Sequence, residues 1–278
     1  MMDHFRRDGL RFEVRDSGTG DAGTAVLLHG FPQDAGAYDG VVPALVAGGL
    51  RVLVPDQRGY SPGARPEGRA AYAMPELVAD VLALLDEARV GSAHVVGHDW
   101  GGAVAWALAG RHAEHVTTLT ALSTPHPAAL QAALRTSTQG LRSLYMGLFQ
   151  LPWLPEAVVL GGDGAVLRAM LTRSGLDDAR ARAYTARMRE PGALTAALNW
   201  YRGIPHSGGS GPGRVPVPTT LVSGTRDPVF TAASIHATQR FVSADFRLHE
   251  LDAGHWLPET RPDDVAAAVL NRVGSGPG

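Results

Sequence analysis

The chain has 278 residues, a formal net charge of -2 and no cysteine. The balanced charge argues against a nucleic-acid surface, and the lack of cysteine excludes disulfides, thiolate nucleophiles and cysteine-ligated metals. The N-terminal residues 1–8 carry charges where a signal peptide needs an apolar run, and no apolar stretch approaches a membrane span. We therefore expect a cytoplasmic protein with one large core, room for an insertion, and neither membrane nor nucleic-acid partners.

Strand and helix patterns alternate along most of the chain. Short runs rich in β-branched or alternating apolar residues predict strands at 10–15, 25–28, 51–54, 95–97, 116–122, 219–223 and 246–251. Apolar residues at helical spacing predict helices at 41–48, 74–88, 103–109 and 262–272. Such alternation indicates an α/β fold with a mostly parallel central sheet flanked by helices. In such a sheet, the ligand site lies beyond the carboxyl ends of the strands.

Residues 127–213 break this alternation, since they contain helical segments and several aromatic residues but no convincing strand. The glycine-rich stretch 207–213 is typical of a flexible connection. We therefore predict a first part of the core at 1–126, a helical cap at 127–213 and a second part of the core at 214–278. The tail from Gly274 to Gly278 is expected to be disordered.

A tight turn from a buried strand into a helix is predicted at Gly97-His98-Asp99-Trp100-Gly101. A nucleophile elbow of the form G-x-S-x-G needs small residues on both sides of its reactive residue, and here aspartate replaces serine. A carboxylate with a pKa near ~3.9 is ionised at neutral pH, which suits it to displacement at a saturated carbon. The alternative, that Asp99 only caps the helix, does not explain the flanking glycines.

Two further residues extend this pattern, because Asp227 and His255 each follow a later predicted strand. Nucleophile, acid and histidine in this chain order are typical of α/β-hydrolases. His255, with an ordinary pKa near ~6.5, suits a general base, and Asp227 suits the acid that orients it. Asp252 is a rival for the acid, and Asp227 in a merely structural turn before Pro228 is the alternative.

The other histidines are interpreted as structural. His29, His98 and His126 lie in loops or beside the elbow, and the histidines show no metal-ligand spacing, so no metal site is predicted. The glycine-rich turn at 16–20 lacks the features of a nucleotide-binding loop, so no cofactor is predicted either.

With these motifs in place, the chain resembles the epoxide hydrolases of the α/β-hydrolase fold superfamily. The resemblance covers residues 10–272 and rests on four motifs, namely His29-Gly30-Phe31-Pro32, Asp56-Gln57-Arg58-Gly59, Gly97-His98-Asp99-Trp100-Gly101-Gly102 and Gly254-His255-Trp256. It implies the α/β-hydrolase fold with a helical cap.

Two cap segments strengthen the resemblance. It implies that Tyr145 and Tyr201 correspond to the two ring-opening tyrosines of the family. Phenol hydroxyls stay protonated near neutral pH and can donate to the oxygen of an opening epoxide, although ordinary packing of the two rings is the alternative. The oxyanion hole is expected to consist of the backbone N–H groups of Phe31 and Trp100.

The implied activity is the cofactor-independent conversion of a small-molecule epoxide and water into a vicinal diol through a covalent aspartyl ester. One alternative is a haloalkane dehalogenase with the same Asp-His-Asp triad, in which Trp100 donates to the halide. Phe31, however, stands where that family often carries an asparagine. Another alternative is a non-catalytic binding protein, which has no evident need for all three of Asp99, Asp227 and His255. A monomer and a homodimer both remain open.

Overall fold

The computed structural model describes residues 1–209 and 211–275, and its sheet contains eight strands. The strands are β1 (His4–Arg7), β2 (Leu10–Ser17), β3 (Thr24–Leu28), β4 (Arg51–Pro55), β5 (Ala93–His98), β6 (Val116–Leu122), β7 (Thr219–Gly224) and β8 (Phe246–Leu251). They are arranged in the order β1-β2-β4-β3-β5-β6-β7-β8.

Helices cover both faces of the sheet and fill the segment between β6 and β7. The α-helices are α1 (Val42–Ala47), α2 (Met74–Glu87), α3 (Trp100–Arg111), α4 (Pro127–Thr136), α5 (Gln139–Arg142), α6 (Leu144–Leu148), α7 (Leu154–Val159), α8 (Ala165–Arg173), α9 (Asp178–Met188), α10 (Ala193–Arg202), α11 (Ala232–Ala237), α12 (Leu257–Thr260) and α13 (Pro262–Val273). Short 3-10 helices lie at Ala35–Tyr38, Pro62–Ala64, Ala70–Tyr72, Ala113–His115, Ile204–His206 and Thr238–Phe241.

Strands β3 to β8 run parallel, whereas β2 pairs antiparallel with β4 and β1 pairs antiparallel with β2. Burial follows position in the sheet: every residue of the central strands β5 and β7 is buried, as expected for strands covered on both faces. In β2 only the alternate residues Phe12 and Val14 are buried, because this strand has one face towards solvent. The parallel strands end at one edge of the sheet, where the loops after β3, β5, β7 and β8 meet.

The predicted fold class is confirmed, since the sheet is mostly parallel and flanked by helices, and each predicted strand and helix has a counterpart. Strand β1 was not predicted. It lies within the charged N-terminal stretch, and Phe5, stacked on Phe12 with ring centroids 4.6 Å apart, is its one fully buried residue. A single buried side chain leaves no periodic signal in the sequence.

Residues 127–213, which we call the helical insertion, contain no strand among those the structure describes. The segment 207–213, for which we predict a flexible connection, makes hydrogen bonds to the core at its described residues. Arg111 of α3 donates to the carbonyl oxygens of Gly209 and Gly211 at 3.0 and 3.1 Å, and residue 210 lies outside the described residues. Backbone carbonyls accept these bonds whatever the side chain, which hides the contact from the sequence.

The first two residues of the C-terminal tail, for which we predict disorder, make hydrogen bonds in the structure. The N–H of Gly274 donates to the carbonyl of Leu270 at 2.9 Å, and Arg247 donates to the hydroxyl of Ser275 at 2.9 Å. Both residues are therefore placed against the end of α13 rather than disordered, and residues 276–278 lie outside the described part of the chain. No helix in the described part is both long and apolar enough to cross a membrane.

Candidate active site

Asp99 lies at a sharp turn between β5 and α3, with a backbone φ of 50° and ψ of -119°. Such a conformation is costly for a residue with a Cβ atom and is found mostly at functional sites. A Cβ atom on Gly97 would lie 2.4 Å from the carbonyl oxygen of Gly101, and one on Gly101 would lie 2.1 Å from that of Leu28. Because the obstructing atoms are backbone, both positions require glycine, as the elbow motif predicts.

The three residues expected to form a triad converge at the carboxyl edge of the sheet. Asp99 Oδ2 lies 3.6 Å from His255 Nε2, and His255 Nδ1 lies 2.8 Å from Asp227 Oδ2. The His255 and Asp227 side chains are about 4% exposed, and that of Asp99 is 12% exposed. The imidazole therefore lies between two largely desolvated carboxylates.

This arrangement shifts the pKa values of the histidine and the elbow carboxyl in opposite directions. Burial lowers the pKa of His255, but the charges and hydrogen bonds of Asp227 and Asp99 outweigh it and raise that pKa to about 10. Burial raises the pKa of Asp99, but the hydrogen bond and charge of His255, together with the Phe31 N–H, hold it below its ordinary value. At neutral pH the resting site thus holds an imidazolium and an ionised Asp99.

Asp227, and not Asp252, is the carboxylate that contacts His255. Its Oδ1 accepts the backbone N–H groups of Val229 and Phe230 at 2.6 and 3.2 Å, which fixes the carboxylate while Oδ2 faces the histidine. The rival Asp252 is exposed and pairs with Arg226 at 2.9 Å, so it is excluded from this role.

Both expected oxyanion-hole residues flank the carboxylate. The Phe31 N–H donates to Asp99 Oδ1 at 2.9 Å. A Cβ atom on Gly30 would lie 2.4 Å from Asp99 Cβ, so glycine permits this approach. Trp100 is the first residue of α3, and its backbone N–H is one of those that a helix start leaves without an intrahelical partner.

The helical insertion brings Tyr145 of α6 and Tyr201 of α10 over Asp99. Their rings pack edge to face with centroids 6.0 Å apart, and Tyr201 also packs against Trp100 at 5.0 Å and Phe31 at 5.7 Å. Burial raises the pKa of both phenols well above its ordinary value, and the charge of Asp99 raises each further. Both hydroxyls are therefore protonated at neutral pH and can act as hydrogen-bond donors.

Two apolar cavities meet at Asp99, with volumes of about 190 and 260 Å³. Asp99, Tyr145, Tyr201 and Val229 line both cavities. The smaller cavity extends along Leu167, Met170 and Leu171 of α8, and the larger one along Met74, Leu130 and Met146. A molecule that places its reactive centre over Asp99 can thus extend an apolar group to either side.

Behind the carboxylate lies a buried polar network that sequence reasoning missed. His98 contacts both Gln33 and the backbone carbonyl of His255, and Gln33 in turn contacts Glu259. Burial and the charge of His255 lower the pKa of His98 to about 4, consistent with the structural interpretation of this residue. Gln33 and Glu259 lie 226 positions apart in the sequence, and neither belongs to a motif with a known chemical role.

The remaining histidines also serve loops. His29 Nε2 accepts the N–H of Gln57 at 3.2 Å, and His126 Nδ1 accepts that of Ala128 at 3.1 Å. Across residues 1–209 and 211–275, no group of three or more histidine, aspartate or glutamate side chains is arranged to hold a metal ion.

Comparisons with known proteins agree with this geometry. A family model described as the alpha/beta hydrolase fold matches residues 25–262. YfhM of Bacillus subtilis, an AB hydrolase superfamily protein, is 34% identical over 95% of this chain and 94% of its own length. Epoxide hydrolase A of Mycobacterium tuberculosis is 33% identical over 95% of this chain and 94% of its own length. The crystal structure of epoxide hydrolase A from Mycobacterium thermoresistibile has a TM-score of 0.84 and 25% identity, covering 99% of this chain and 98% of that one.

These likenesses extend over nearly the whole chain and include both the sheet and the helical insertion. The elbow with its aspartate, the histidine after the last strand and the two tyrosines all lie within the matched residues. The chain therefore belongs to the α/β-hydrolase fold family and, within it, to the epoxide hydrolases.

Proposed function

We propose that this protein converts an epoxide and water into a vicinal diol through an ester formed on Asp99. The observation that carries the proposal is the position of an ionised carboxylate at the elbow, 3.6 Å from a histidine and beneath two protonated tyrosines. A serine elbow would attack carbonyl groups, whereas a carboxylate and hydroxyl donors suit the opening of a strained ether.

In the first half of the reaction, a carboxylate oxygen of Asp99 attacks a ring carbon from the side opposite the epoxide oxygen. The ester C–O bond forms as the ring C–O bond breaks, and negative charge develops on the departing oxygen. Tyr145 and Tyr201 donate hydrogen bonds to that oxygen, in a cavity whose low polarity strengthens these bonds. Phe31 presents an aromatic ring to Tyr201 rather than an amide donor, which fits an epoxide better than a halide.

The first half also prepares His255 to act as a base. Asp99 contributes to the raised pKa of His255 in the resting enzyme, and esterification removes that negative charge. The imidazolium then becomes more acidic and can release a proton as the alkoxide of the opened ring gains one. The ester, a neutral imidazole and a neutral alcohol remain, so proton and charge balance without an external acid.

In the second half, neutral His255 removes a proton from water, and the resulting hydroxide attacks the carbonyl carbon of the ester. Asp227 stabilises the imidazolium that forms, through its 2.8 Å contact with Nδ1. The N–H groups of Phe31 and Trp100 hold the tetrahedral oxyanion. Cleavage of the acyl C–O bond, with transfer of the added hydroxyl's proton to the departing oxygen, releases the diol and regenerates the carboxylate, which keeps one oxygen from water. The proton taken up by His255 restores the imidazolium of the resting enzyme.

We further propose that the substrate is apolar on both sides of its ring, because the two cavities are lined mainly by apolar side chains. The helical insertion, residues 127–213, would act as the cap that supplies both tyrosines and half of the lining residues of the two cavities. A cytoplasmic location and a monomeric or dimeric state remain predictions from the sequence.

Trapping the ester tests this function. In the His255→Gln variant the ester should form but not hydrolyse, so incubation with styrene oxide should add the mass of the whole epoxide to a peptide containing Asp99. The Asp99→Ala variant should gain nothing under the same conditions, as judged by intact-protein and peptide mass spectrometry. A mass gain with 1-bromobutane alone, equal to the butyl group less one hydrogen, would instead identify a dehalogenase.

Removing the tyrosine hydroxyls should slow ring opening rather than ester hydrolysis. We expect the Tyr145→Phe/Tyr201→Phe double variant to lose about a hundredfold or more in kcat/KM for styrene oxide, the scale of losing an oxyanion donor. Tyr72→Phe is the matched control, since the Tyr72 hydroxyl is bonded to the Pro66 carbonyl at 2.9 Å, outside both cavities at Asp99. Equal activity of the double variant and this control would rule out ring opening by the two phenols.

The effect of the Asp99 charge on the pKa of His255 can be measured directly. Neutralising the carboxylate with Asp99→Asn should lower the pKa of His255 from about 10, because one of two charges that raise it is removed. NMR titration of the imidazole would report the change, with exposed Asp252→Asn as the control. An unchanged pKa in Asp99→Asn would mean that esterification does not prepare the base.

A further inference from the structure

A continuous buried hydrogen-bond chain connects the helical insertion with the back of the active site. The Tyr184 hydroxyl of α9 donates to Glu259 Oε1 at 3.0 Å, and the Gln33 side-chain amide donates to the same oxygen at 2.6 Å. Gln33 Oε1 lies 2.8 Å from His98 Nδ1. Gln33 and His98 are fully buried, so bonds lost here cannot be replaced readily by solvent.

Gln33 fixes the peptide group that bears the Phe31 N–H. Its Oε1 accepts the Gly30 N–H at 2.7 Å, and its own backbone N–H donates to the Gly30 carbonyl at 3.0 Å. The Gly30 carbonyl and the Phe31 N–H belong to one planar trans peptide, so holding the carbonyl on one side directs the N–H to the other. That N–H is the one that donates to Asp99 Oδ1 at 2.9 Å.

The same glutamine reaches the backbone of the histidine through His98. Nε2 of His98 lies 2.9 Å from the carbonyl oxygen of His255, which also accepts the Ser123 hydroxyl at 2.8 Å. The His98 ring also packs against the His255 ring, with centroids 4.8 Å apart. One side-chain amide therefore contacts the supports of both the oxyanion donor and the base.

We propose that Gln33 is a positioning residue for ester hydrolysis, with Glu259 fixing its amide. This inference rests on the proposed function, in which Phe31 N–H and His255 act together only in the second half of the reaction. Loss of the Gln33 side-chain amide leaves the backbone bond to the Gly30 carbonyl in place but removes the partners of the Gly30 N–H and of His98, which loosens the supports of Phe31 and His255 together. Because ester hydrolysis needs both groups, it slows more than ester formation. Tyr184 bonds to Glu259 but contacts neither Gln33 nor His98 by a hydrogen bond, so it is not needed for this effect.

The test is Gln33→Met, which keeps an unbranched side chain of similar length but removes the amide's contacts with Gly30, His98 and Glu259. We expect kcat to fall about tenfold, the effect of losing a buried hydrogen bond, with KM falling in parallel and kcat/KM nearly unchanged. The ester on Asp99 should accumulate at steady state above the wild-type level, as measured by intact mass. Tyr184→Phe is the control and should keep wild-type kinetics.

A reversed pair supplies a second test if Gln33→Met folds poorly. In Gln33→Glu a second carboxyl faces Glu259, whereas Gln33→Glu/Glu259→Gln restores an amide-to-carboxylate bond with the same net charge. The double variant should therefore recover kcat relative to Gln33→Glu alone. If the double variant does not recover kcat, or if kcat/KM of Gln33→Met falls without ester accumulation, then Gln33 has only a structural role. If His255→Gln also forms no ester, the proposed function itself fails, which separates the two outcomes.

Discussion

The buried charge of Asp99 is the constraint that the surrounding groups satisfy. A carboxylate in an apolar cavity without partners would be protonated, and a protonated acid is a poor nucleophile. Here one oxygen accepts the Phe31 N–H at 2.9 Å and the other lies 3.6 Å from an imidazolium. These contacts keep the carboxylate ionised, and Asp99 still lines both substrate cavities.

The positive charge of His255 also follows from the burial of charged carboxylates at this site. His255 is held between Asp99 and Asp227, and its raised pKa makes it a poor base until one of those charges is neutralised. In the proposed mechanism, esterification of Asp99 neutralises one of those charges. The order of the two half-reactions is then set by electrostatics, because the base becomes available when there is an ester to hydrolyse.

Sequence reasoning located those features that depend on local spacing. The glycines around Asp99 are required by backbone contacts within the elbow itself, so Gly-x-Asp-x-Gly could be recognised in five residues. The order of Asp227 and His255 after their strands predicted that they would converge, since parallel strands share one carboxyl edge. Tyr145 and Tyr201, which came only from resemblance to a family, do lie over Asp99.

Features made by long-range or backbone contacts could not be predicted in this way. Gln33 and Glu259 become partners only when α12 packs against the loop after β3, and an isolated glutamine or glutamate carries no signal of burial. The hydrogen bonds from Arg111 to the backbone carbonyls of Gly209 and Gly211 are a second example, because a backbone carbonyl leaves no signal in the sequence. Local pattern therefore predicted the proposed nucleophile, whereas the residues that surround it became visible only in the tertiary structure.

The central claim is that Asp99, and not water, attacks the epoxide. Its most direct test is a single turnover in oxygen-18 water, with enzyme in excess over styrene oxide. The ester mechanism predicts an unlabelled diol and one labelled oxygen on the Asp99 carboxyl, found by mass spectrometry of its peptide, because water attacks the acyl carbon. A labelled diol with no label on Asp99 would contradict it, since the water oxygen would then have reached the epoxide carbon directly.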